Sequence, residues 1–275
     1  MSTTSTPQTA PPQRWAVMLY SAVAYGLFHL TFLYLVVFVG DLTPGTGAAS
    51  SLPTVSGPGG GLSLAPAMAI NLALIALFGV QHSIMARPRF KAWLTRHLPA
   101  AAERATFVLA TNLVLITTFI AWQPLPQTLW SVDNSALRSI LWAAFATGWA
   151  IVLLSSFLIN HFELFGLQQA FHHLKRRLAA PAEFRTPLLY RLVRHPLMTG
   201  LLIAFWAAPD LSLGRLLFAS GMTVYIVIGV AHEEKDLVAA FGERYRDYQR
   251  RVPAMIPGLK PRGGAKPRSH QPATS

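Results

Sequence analysis

Residues 16–39, AVMLYSAVAYGLFHLTFLYLVVFV, decide the fold class of this chain. The segment contains no Lys, Arg, Asp or Glu, and a helix needs about 20 apolar residues to cross the hydrocarbon core of a bilayer. Residues 64–85, 105–122 and 137–160 form similarly long apolar segments. The sequence therefore predicts an all-α protein, a polytopic integral membrane helical bundle.

A fifth apolar stretch, residues 197–231, is too long for a single membrane span. It is interrupted at Pro209, and a proline lacks a backbone donor and disfavours helical geometry in the residue before it. We therefore expect four spans followed by a C-terminal helical hairpin whose first arm is short.

The composition agrees with a membrane protein and excludes several kinds of site. Charged residues make up 12% of the chain, which is about half the share found in soluble domains. The absence of cysteine excludes disulfides, thiolate metal sites and a cysteine nucleophile within this chain. The net charge of +12 comes from basic residues between apolar runs, so we expect contact with anionic lipid headgroups and no binding of nucleic acid.

The distribution of Lys and Arg predicts the orientation of the spans. Residues 86–104, residues 161–195 and the segment after Ala231 are rich in Lys and Arg, whereas residues 40–61 and 123–136 contain neither. By the positive-inside rule, both termini and both basic connections should be cytoplasmic. The Gly/Pro/Ser-rich connection 40–61 should be a loose external loop.

The two ends of the chain have the composition of disordered segments. Residues 1–14 are rich in Ser, Thr, Pro and Gln, and residues 258–275 are rich in Pro, Gly and basic residues. We expect both ends to be disordered, which leaves one membrane domain at residues 15–257.

The residues best suited to binding or catalysis form two elements near the C-terminus. The first is YRLVRHPLMTG at residues 190–200, and the second is HEEKDL at residues 232–237. Ionisable groups at the ends of membrane helices are costly and are therefore candidates for function. The pair resembles the C-terminal signature of the isoprenylcysteine carboxyl methyltransferase and phospholipid methyltransferase group, in which an Arg-His-Pro-x-Tyr-x-Gly element faces a Glu-Glu element across a helical hairpin.

This resemblance implies a site for S-adenosyl-L-methionine, mainly within residues 186–257. The cofactor-binding residues that it predicts are Tyr190, His195, Pro196, Leu197, Met198, Gly200, Glu233 and Glu234. Met198 stands where the family has an aromatic residue, and its thioether can still pack on adenine. Gly200 has no Cβ and is expected to let the backbone approach the ligand closely. The competing interpretation is that Arg191, Arg194 and the two glutamates form an ordinary salt-bridge cluster.

Two further elements narrow the resemblance. QHSIMARP at residues 81–88 and NHFELFGL at residues 160–167 are similar to elements of the bacterial methanethiol S-methyltransferases, which convert methanethiol to dimethyl sulfide and are related to NnrU-like membrane proteins. The resemblance then extends over residues 64–257 and implies a multi-pass protein of the bacterial inner membrane. Carboxyl methyltransferases need an arginine to hold the substrate carboxylate, but residues 224–231 contain no Arg or Lys, and Gly229 occupies the corresponding position.

A small thiol accepts a methyl group as the thiolate, so a methyltransferase of this kind is expected to provide a base. The candidate catalytic residues are His82, His161 and Glu163, which the sequence does not rank. The predicted substrate-binding or supporting residues are Gln81, Arg87, Gln168 and Arg194. No metal site is predicted, because neither His82 nor His161 has a second ligand at a metal-binding spacing.

Three alternative functions stay open at this stage. The first is methylation of isoprenylcysteine or of a phospholipid, the second is an NADPH-dependent membrane reductase, and the third is a non-catalytic NnrU-like role. The oligomeric state is also left open by the sequence.

Overall fold

Five helices are long and apolar enough to cross a membrane. The computed structural model describes residues 11–43, 52–57, 61–178 and 184–259. The five helices in this part of the chain are α1 (Pro11–Gly40), α2 (Leu64–Ala86), α4 (Glu103–Ala121), α5 (Ser135–Ile159) and α9 (Leu213–Phe241). The prediction of an all-α, polytopic membrane bundle is confirmed.

Shorter elements connect these helices. They are α3 (Pro88–Leu94), α6 (His161–Leu164), α7 (Leu167–Leu174), α8 (Pro196–Trp206) and α10 (Glu243–Arg251), with 3₁₀ turns at Ala100–Ala102 and Leu188–Arg191. Two short strands, β1 (Thr128–Ser131) and β2 (Asp210–Ser212), pair antiparallel. The strand pair was not predicted, because each strand is too short to show an alternating pattern.

The predicted C-terminal hairpin is present. Its short first arm is α8, which ends at Trp206 before Pro209, and its second arm α9 begins at Leu213. Helix α9 continues to Phe241, ten residues beyond the predicted end of the apolar stretch. The Glu-Glu element therefore lies within the last turns of a continuous helix.

The first helix begins earlier than expected. Residues 11–14 were predicted to belong to a disordered tail, but α1 starts at Pro11 and Arg14 is buried. Proline fits the first turn of a helix, where its missing N–H would have no intrahelical partner. Residues 1–10 and 260–275 lie outside the described residues, so disorder there stays a prediction.

An aromatic core joins the long helices. Phe38 of α1, Phe119 of α4, Trp149 of α5, Phe205 of α8 and Phe218 of α9 are all buried in one cluster. The Phe38 ring centroid lies 5.8 Å from that of Phe218, which lies 5.3 Å from that of Phe205 on α8. These contacts hold the short helix α8 inside the bundle. They therefore fix the position of its N-terminal end.

The connections that lack Lys and Arg pack together at one end of the bundle. Trp122 Nε1 donates to the carbonyl of Val55 at 3.3 Å, and the Ser56 and Ser212 hydroxyls lie 2.5 Å apart. The Arg215 guanidinium donates to Asp41 at 3.0 Å. Within the connection 40–61, residues 52–57 are therefore packed against the helices, so the expectation of a loose loop is wrong for this part.

The basic connections lie together at the opposite end. There Arg104 Nε donates to the carbonyl of Leu164 at 2.9 Å, and the backbone of Arg194 donates to the carbonyl of Pro253 at 2.9 Å. The structure thus separates the basic connections from the others as predicted. Which end is cytoplasmic stays a prediction.

Candidate active site

The start of α8 is tied to the C-terminal segment of the chain. Pro196 occupies the first turn of the helix, where proline is favoured. The backbone N–H groups of Arg194 and His195 donate to the carbonyls of Pro253 and Ala254, both at 2.9 Å. This backbone pairing places the His195 side chain against the end of α9.

Glu234 is held by four side chains. Arg194 donates from Nε and Nη2 to its two oxygens at 2.8 and 3.0 Å, and His195 Nε2 lies 2.6 Å from Oε1. The Tyr245 hydroxyl donates at 2.8 Å, and the Gln249 side-chain amide also donates. Because these partners occupy its acceptor positions, Glu234 supports the site and has little capacity left for a ligand. The salt-bridge interpretation is correct for Arg194 and Glu234.

Glu233 is in a different environment. Its side chain is 51% exposed, compared with 13% for Glu234. Its Oε2 atom lies 3.4 Å from His195 Nδ1, and its charge also acts on Arg104 and Tyr225. Glu233 is therefore the carboxylate of this pair that is open to a ligand.

His195 lies between the two glutamates. Burial disfavours protonation of its imidazole, but hydrogen bonds and charge from Glu233 and Glu234 outweigh this effect and raise the pKa of His195 to about 9. The ring is therefore protonated at neutral pH. It supplies a fixed positive charge that orients the open carboxylate of Glu233.

Tyr190 is turned towards the neighbouring helix. Its hydroxyl donates to the carbonyl of Ser155 at 3.4 Å, its own carbonyl accepts from Tyr248, and burial raises the pKa of its phenol. Leu197 and Met198 pack against the main core. These three side chains of the predicted cofactor element thus make contacts within the protein.

Gly200 has a packing role. A Cβ at this position would lie 2.6 Å from the Gly148 carbonyl oxygen and 2.9 Å from the Val152 nitrogen, both on α5. The close approach predicted for Gly200 is therefore made to α5, and the prediction that it is made to a ligand is not supported by these contacts. The missing Cβ allows α5 and α8 to pack backbone to backbone.

The element at residues 160–167 forms a second polar group. The Asn160 amide donates to Glu163 Oε2 at 2.8 Å and to Gln168 Oε1 at 2.5 Å. Gly166 has a φ of 89°, and a Cβ there would lie 2.7 Å from the Ala105 nitrogen. Glycine is thus needed both for the turn and for the contact with α4, which brings Glu163 to the start of that helix.

His161 is committed to hydrogen bonds within the bundle. Its Nε2 lies 2.8 Å from the Tyr25 hydroxyl and its Nδ1 lies 2.9 Å from the Ser156 hydroxyl. The ring also stacks on Phe157 with a centroid distance of 4.1 Å. Burial and, to a smaller extent, the charge of His29 lower the pKa of His161. These contacts indicate a structural histidine more than a base for a substrate.

His82 is held mainly by aromatic rings. Its ring centroid lies 5.4 Å from that of Phe78, 4.6 Å from that of Phe107 and 6.0 Å from that of Tyr225. Its hydrogen bond within the described part of the chain joins Nδ1 to the Thr111 hydroxyl at 3.5 Å. Of the three candidate bases, His82 is the least committed to protein partners.

The supporting residues predicted on α2 are not equally close to this cluster. Gln81 donates to Met85 Sδ at 3.0 Å, and its Oε1 atom is buried without a partner. The Arg87 side chain is exposed at the helix end, and the described contacts do not bring it to the other site residues. Gln81 therefore stays a candidate for contact with a ligand, whereas Arg87 has no support from the geometry.

Arg104 is a residue that the sequence reasoning missed. It lies in the first turn of α4, its guanidinium carbon is 5.4 Å from the centre of the Phe107 ring, and its charge and those of Glu163 and Glu233 act on one another. It lies beside the polar element of α6, because its Nε donates to the carbonyl of Leu164. Its position directly before an apolar span was the signal that could have identified it.

Comparison with known proteins identifies the family. Residues 70–259 match the NnrU protein family. The chain is 45% identical over 244 residues to methanethiol S-methyltransferase 1 of Bradyrhizobium diazoefficiens, with 89% of this chain and 83% of the relative covered. It is 43% identical over 269 residues to the methanethiol S-methyltransferase of Pseudomonas deceptionensis, with 97% and 100% covered.

A more distant relative matches a smaller part of the chain. Human nurim is 33% identical over 190 residues, with 63% of this chain and 69% of the relative covered. No solved structure matches the chain. From the family match and the near full-length similarities, the chain belongs to the NnrU protein family and, within it, to the methanethiol S-methyltransferases.

Proposed function

We propose that the protein methylates methanethiol to dimethyl sulfide with S-adenosylmethionine as the methyl donor. The observation that carries this proposal is the similarity over 97% of this chain to a relative named methanethiol S-methyltransferase. The bundle of five membrane-spanning helices is consistent with a small, apolar substrate that partitions into lipid. The bacterial inner membrane is the location that we propose.

The side chains at the end of α9 fit this donor. Its ribose hydroxyls and adenine amino group need acceptors, and a carboxylate forms strong, charge-assisted hydrogen bonds with such donors. Glu233 is half exposed and is oriented by His195 at 3.4 Å, whereas Glu234 fixes the position of His195 from its other side. When bound, the donor supplies a methyl group attached to a positively charged sulfur atom.

The chain's own residues have three tasks in this reaction. Glu233, oriented by His195, binds and orients the donor, which contributes to rate by alignment of the reacting groups. The aromatic rings of Phe78, Phe107 and Tyr225 around His82 form an apolar wall that excludes water from a small thiol. His82 accepts the thiol proton at an imidazole nitrogen, because the reactive form is the thiolate.

The substrate proposed for this site has no carboxylate. Position 229, where the carboxyl methyltransferases have an arginine, is a glycine, and no described atom outside its own stretch of helix lies within 4 Å of the space that a Cβ would occupy. An arginine there is the usual means of holding a prenylcysteine carboxylate. Its absence favours methanethiol over a prenylcysteine.

The first experiment measures ligand binding by calorimetry on the detergent-solubilised protein. S-adenosylhomocysteine should bind the wild type, and Glu233→Gln should weaken its affinity by roughly ten- to hundredfold, the value of a hydrogen bond to a charged group. Glu243→Gln is the matched control, because this glutamate is exposed on α10 and pairs with Arg246. Equal affinities in all three proteins would place the donor elsewhere.

The second experiment measures dimethyl sulfide in the headspace above membranes supplied with methanethiol and S-adenosylmethionine. His82→Ala should lower turnover by about 10²- to 10⁴-fold, as expected for loss of a general base, with affinity for S-adenosylhomocysteine kept. His161→Ala and Glu163→Ala, tested singly, should have smaller effects on the chemical step. Near-normal turnover in all three variants would mean that the thiol loses its proton to solvent before it binds.

The same assays separate the alternative functions. Binding of NADPH in place of S-adenosylhomocysteine would favour a membrane reductase. Methylation of farnesylcysteine, with no product from methanethiol, would favour a carboxyl methyltransferase. Binding of neither cofactor would leave the non-catalytic interpretation.

A further inference from the structure

The guanidinium of Arg104 has donors that no acceptor among the described residues uses. Its Nε donates to the Leu164 carbonyl at 2.9 Å, which fixes the side chain, and it lies 5.4 Å from the centre of the Phe107 ring. Its two terminal amino groups donate to no acceptor among the described residues. A guanidinium presents its donors as a planar fork that matches the two oxygens of a carboxylate.

The charges around Arg104 are near it but not in contact. Glu163 and Glu233 both act electrostatically on the guanidinium, yet neither forms an ion pair with it within the described residues. The Glu163 carboxylate is bound instead to the Asn160 amide at 2.8 Å. The Leu164 carbonyl that accepts from Arg104 belongs to the residue after Glu163, so the guanidinium donors that have no acceptor among the described residues lie near this carboxylate.

The position of Arg104 is set by the backbone of two elements. A Cβ on Gly166 would lie 2.7 Å from the Ala105 nitrogen and 3.2 Å from the Arg104 carbonyl carbon, so the turn after α6 is pressed against the start of α4. The ring centroid of Phe107, about one turn further along the same helix, lies 4.6 Å from that of His82. Arg104 is thus held between the turn that carries Glu163 and the proposed base.

We propose that Arg104 binds the carboxylate at the amino-acid end of S-adenosylmethionine, with Glu163 next to the ammonium group of the same end. This inference rests on the proposed function and adds a residue that recognises one part of the donor. An amino-acid zwitterion has one carboxylate and one ammonium, and Arg104, bound to the carbonyl of the residue after Glu163, offers with that glutamate the two opposite charges. A bidentate guanidinium–carboxylate contact is among the strongest hydrogen-bonded pairs.

The test compares three ligands by calorimetry on the full chain in detergent. They are S-adenosylhomocysteine, its decarboxylated analogue S-adenosyl-3-thiopropylamine, and 5′-methylthioadenosine, which lacks both charged groups. Arg104→Gln should weaken the affinity for S-adenosylhomocysteine by roughly ten- to hundredfold. It should change the affinity for the other two ligands by less than about twofold. Glu163→Gln should weaken the affinity for the two ligands that carry the amino group and leave the affinity for 5′-methylthioadenosine unchanged.

Two further variants, one at Arg104 and one at Arg96, separate binding from folding. Arg104→Lys keeps the positive charge but loses the planar fork, so it should fold and still bind S-adenosylhomocysteine more weakly than the wild type does. Arg96→Gln, at an exposed position in the same basic connection, should bind all three ligands normally.

Several outcomes would overturn the inference. Equal losses for all three ligands would make Arg104 a structural residue that holds the Leu164 carbonyl, and no loss for any ligand would place the carboxylate elsewhere. If Arg104→Gln kept its affinity for S-adenosylhomocysteine but lost affinity for farnesylcysteine, the guanidinium would recognise a substrate carboxylate. If wild-type protein bound none of the three ligands, the proposed donor would be wrong, which is a different result from the failure of Arg104 alone.

Discussion

Consecutive residues on an α-helix point about 100° apart, and near the end of α9 this angle separates the functions of two glutamates. Glu234 faces Arg194, His195 and Tyr245 and is 13% exposed. Glu233 faces outward and is 51% exposed. One carboxylate thus holds the structure in place, and the other is available to a ligand.

His195 makes the stability of this site depend on pH. Its pKa is raised from 6.5 to about 9, so the folded state binds a proton that the unfolded state releases at lower pH. The stabilisation is fully present below pH 6.5 and is lost as the pH rises through about 9. We expect the melting temperature of the detergent-solubilised protein to fall over this range.

Two variants test the assignment of this pH dependence to His195. Near pH 6.5, His195→Asn should melt at a lower temperature than the wild type. Its melting temperature should fall less than that of the wild type between pH 6.5 and pH 9. His97→Asn, at an exposed position, should retain the dependence of the wild type. A wild-type melting temperature that is constant from pH 6.5 to pH 9 would contradict the charged pair.

At the scale of the elements, the contact between α5 and α8 decides where the site begins. Gly148 and Gly200 face each other, and a Cβ on either would lie 2.7 Å or less from a carbonyl oxygen of the opposite helix. Backbone atoms cannot rotate away from such a contact as a flexible side chain can. A larger residue therefore has to move α8, and with it His195 at the N-terminal end of the helix.

We predict that Gly200→Ala destabilises the protein by about 1–3 kcal/mol, the usual cost of overpacking. Thermal unfolding in detergent measures this change, and affinity for S-adenosylhomocysteine should fall in the same variant. Gly26→Ala in α1 is the matched control, because no atom lies within 4 Å of its added Cβ. If both substitutions had the same effect on melting, α5 and α8 would not be packed through this glycine.

At the scale of the whole molecule, the five spans and the short arm α8 bring both basic connections and the C-terminal segment to one end of the bundle. His82, Arg104, Glu163, His195 and Glu233 come from five different parts of the sequence. They lie at the same end of the bundle because each is near a helix terminus on this side. The topology is therefore a condition for the site.

Reporter fusions test this topology. Fusions at Gly57 and Gln127 should report the external side, and a fusion after Pro257 should report the cytoplasm, because Lys and Arg lie in the connections on the C-terminal side. A fusion before α1 provides an internal control that should agree with the fusion after Pro257. An external C-terminus would contradict the orientation and the cytoplasmic access to the donor.

The sequence by itself determined the class of fold, the break at Pro209 and the family, and it supplied most residues of the candidate site. These properties follow from local composition, since length and hydropathy specify a span and proline ends a helix. The strand pair β1–β2 and the packed part of the connection 40–61 were not visible, because they depend on contacts between distant segments.

Only the tertiary structure decided which residues of the predicted site are free to act. His161 and Glu234 carry the residue types expected of functional groups, but Tyr25, Ser156, Arg194 and Gln249 occupy their polar atoms. The same packing leaves Glu233 open and brings Arg104 to the cluster. The physical reason is that availability for a ligand depends on partners far away in the chain, which residue identity and spacing do not encode.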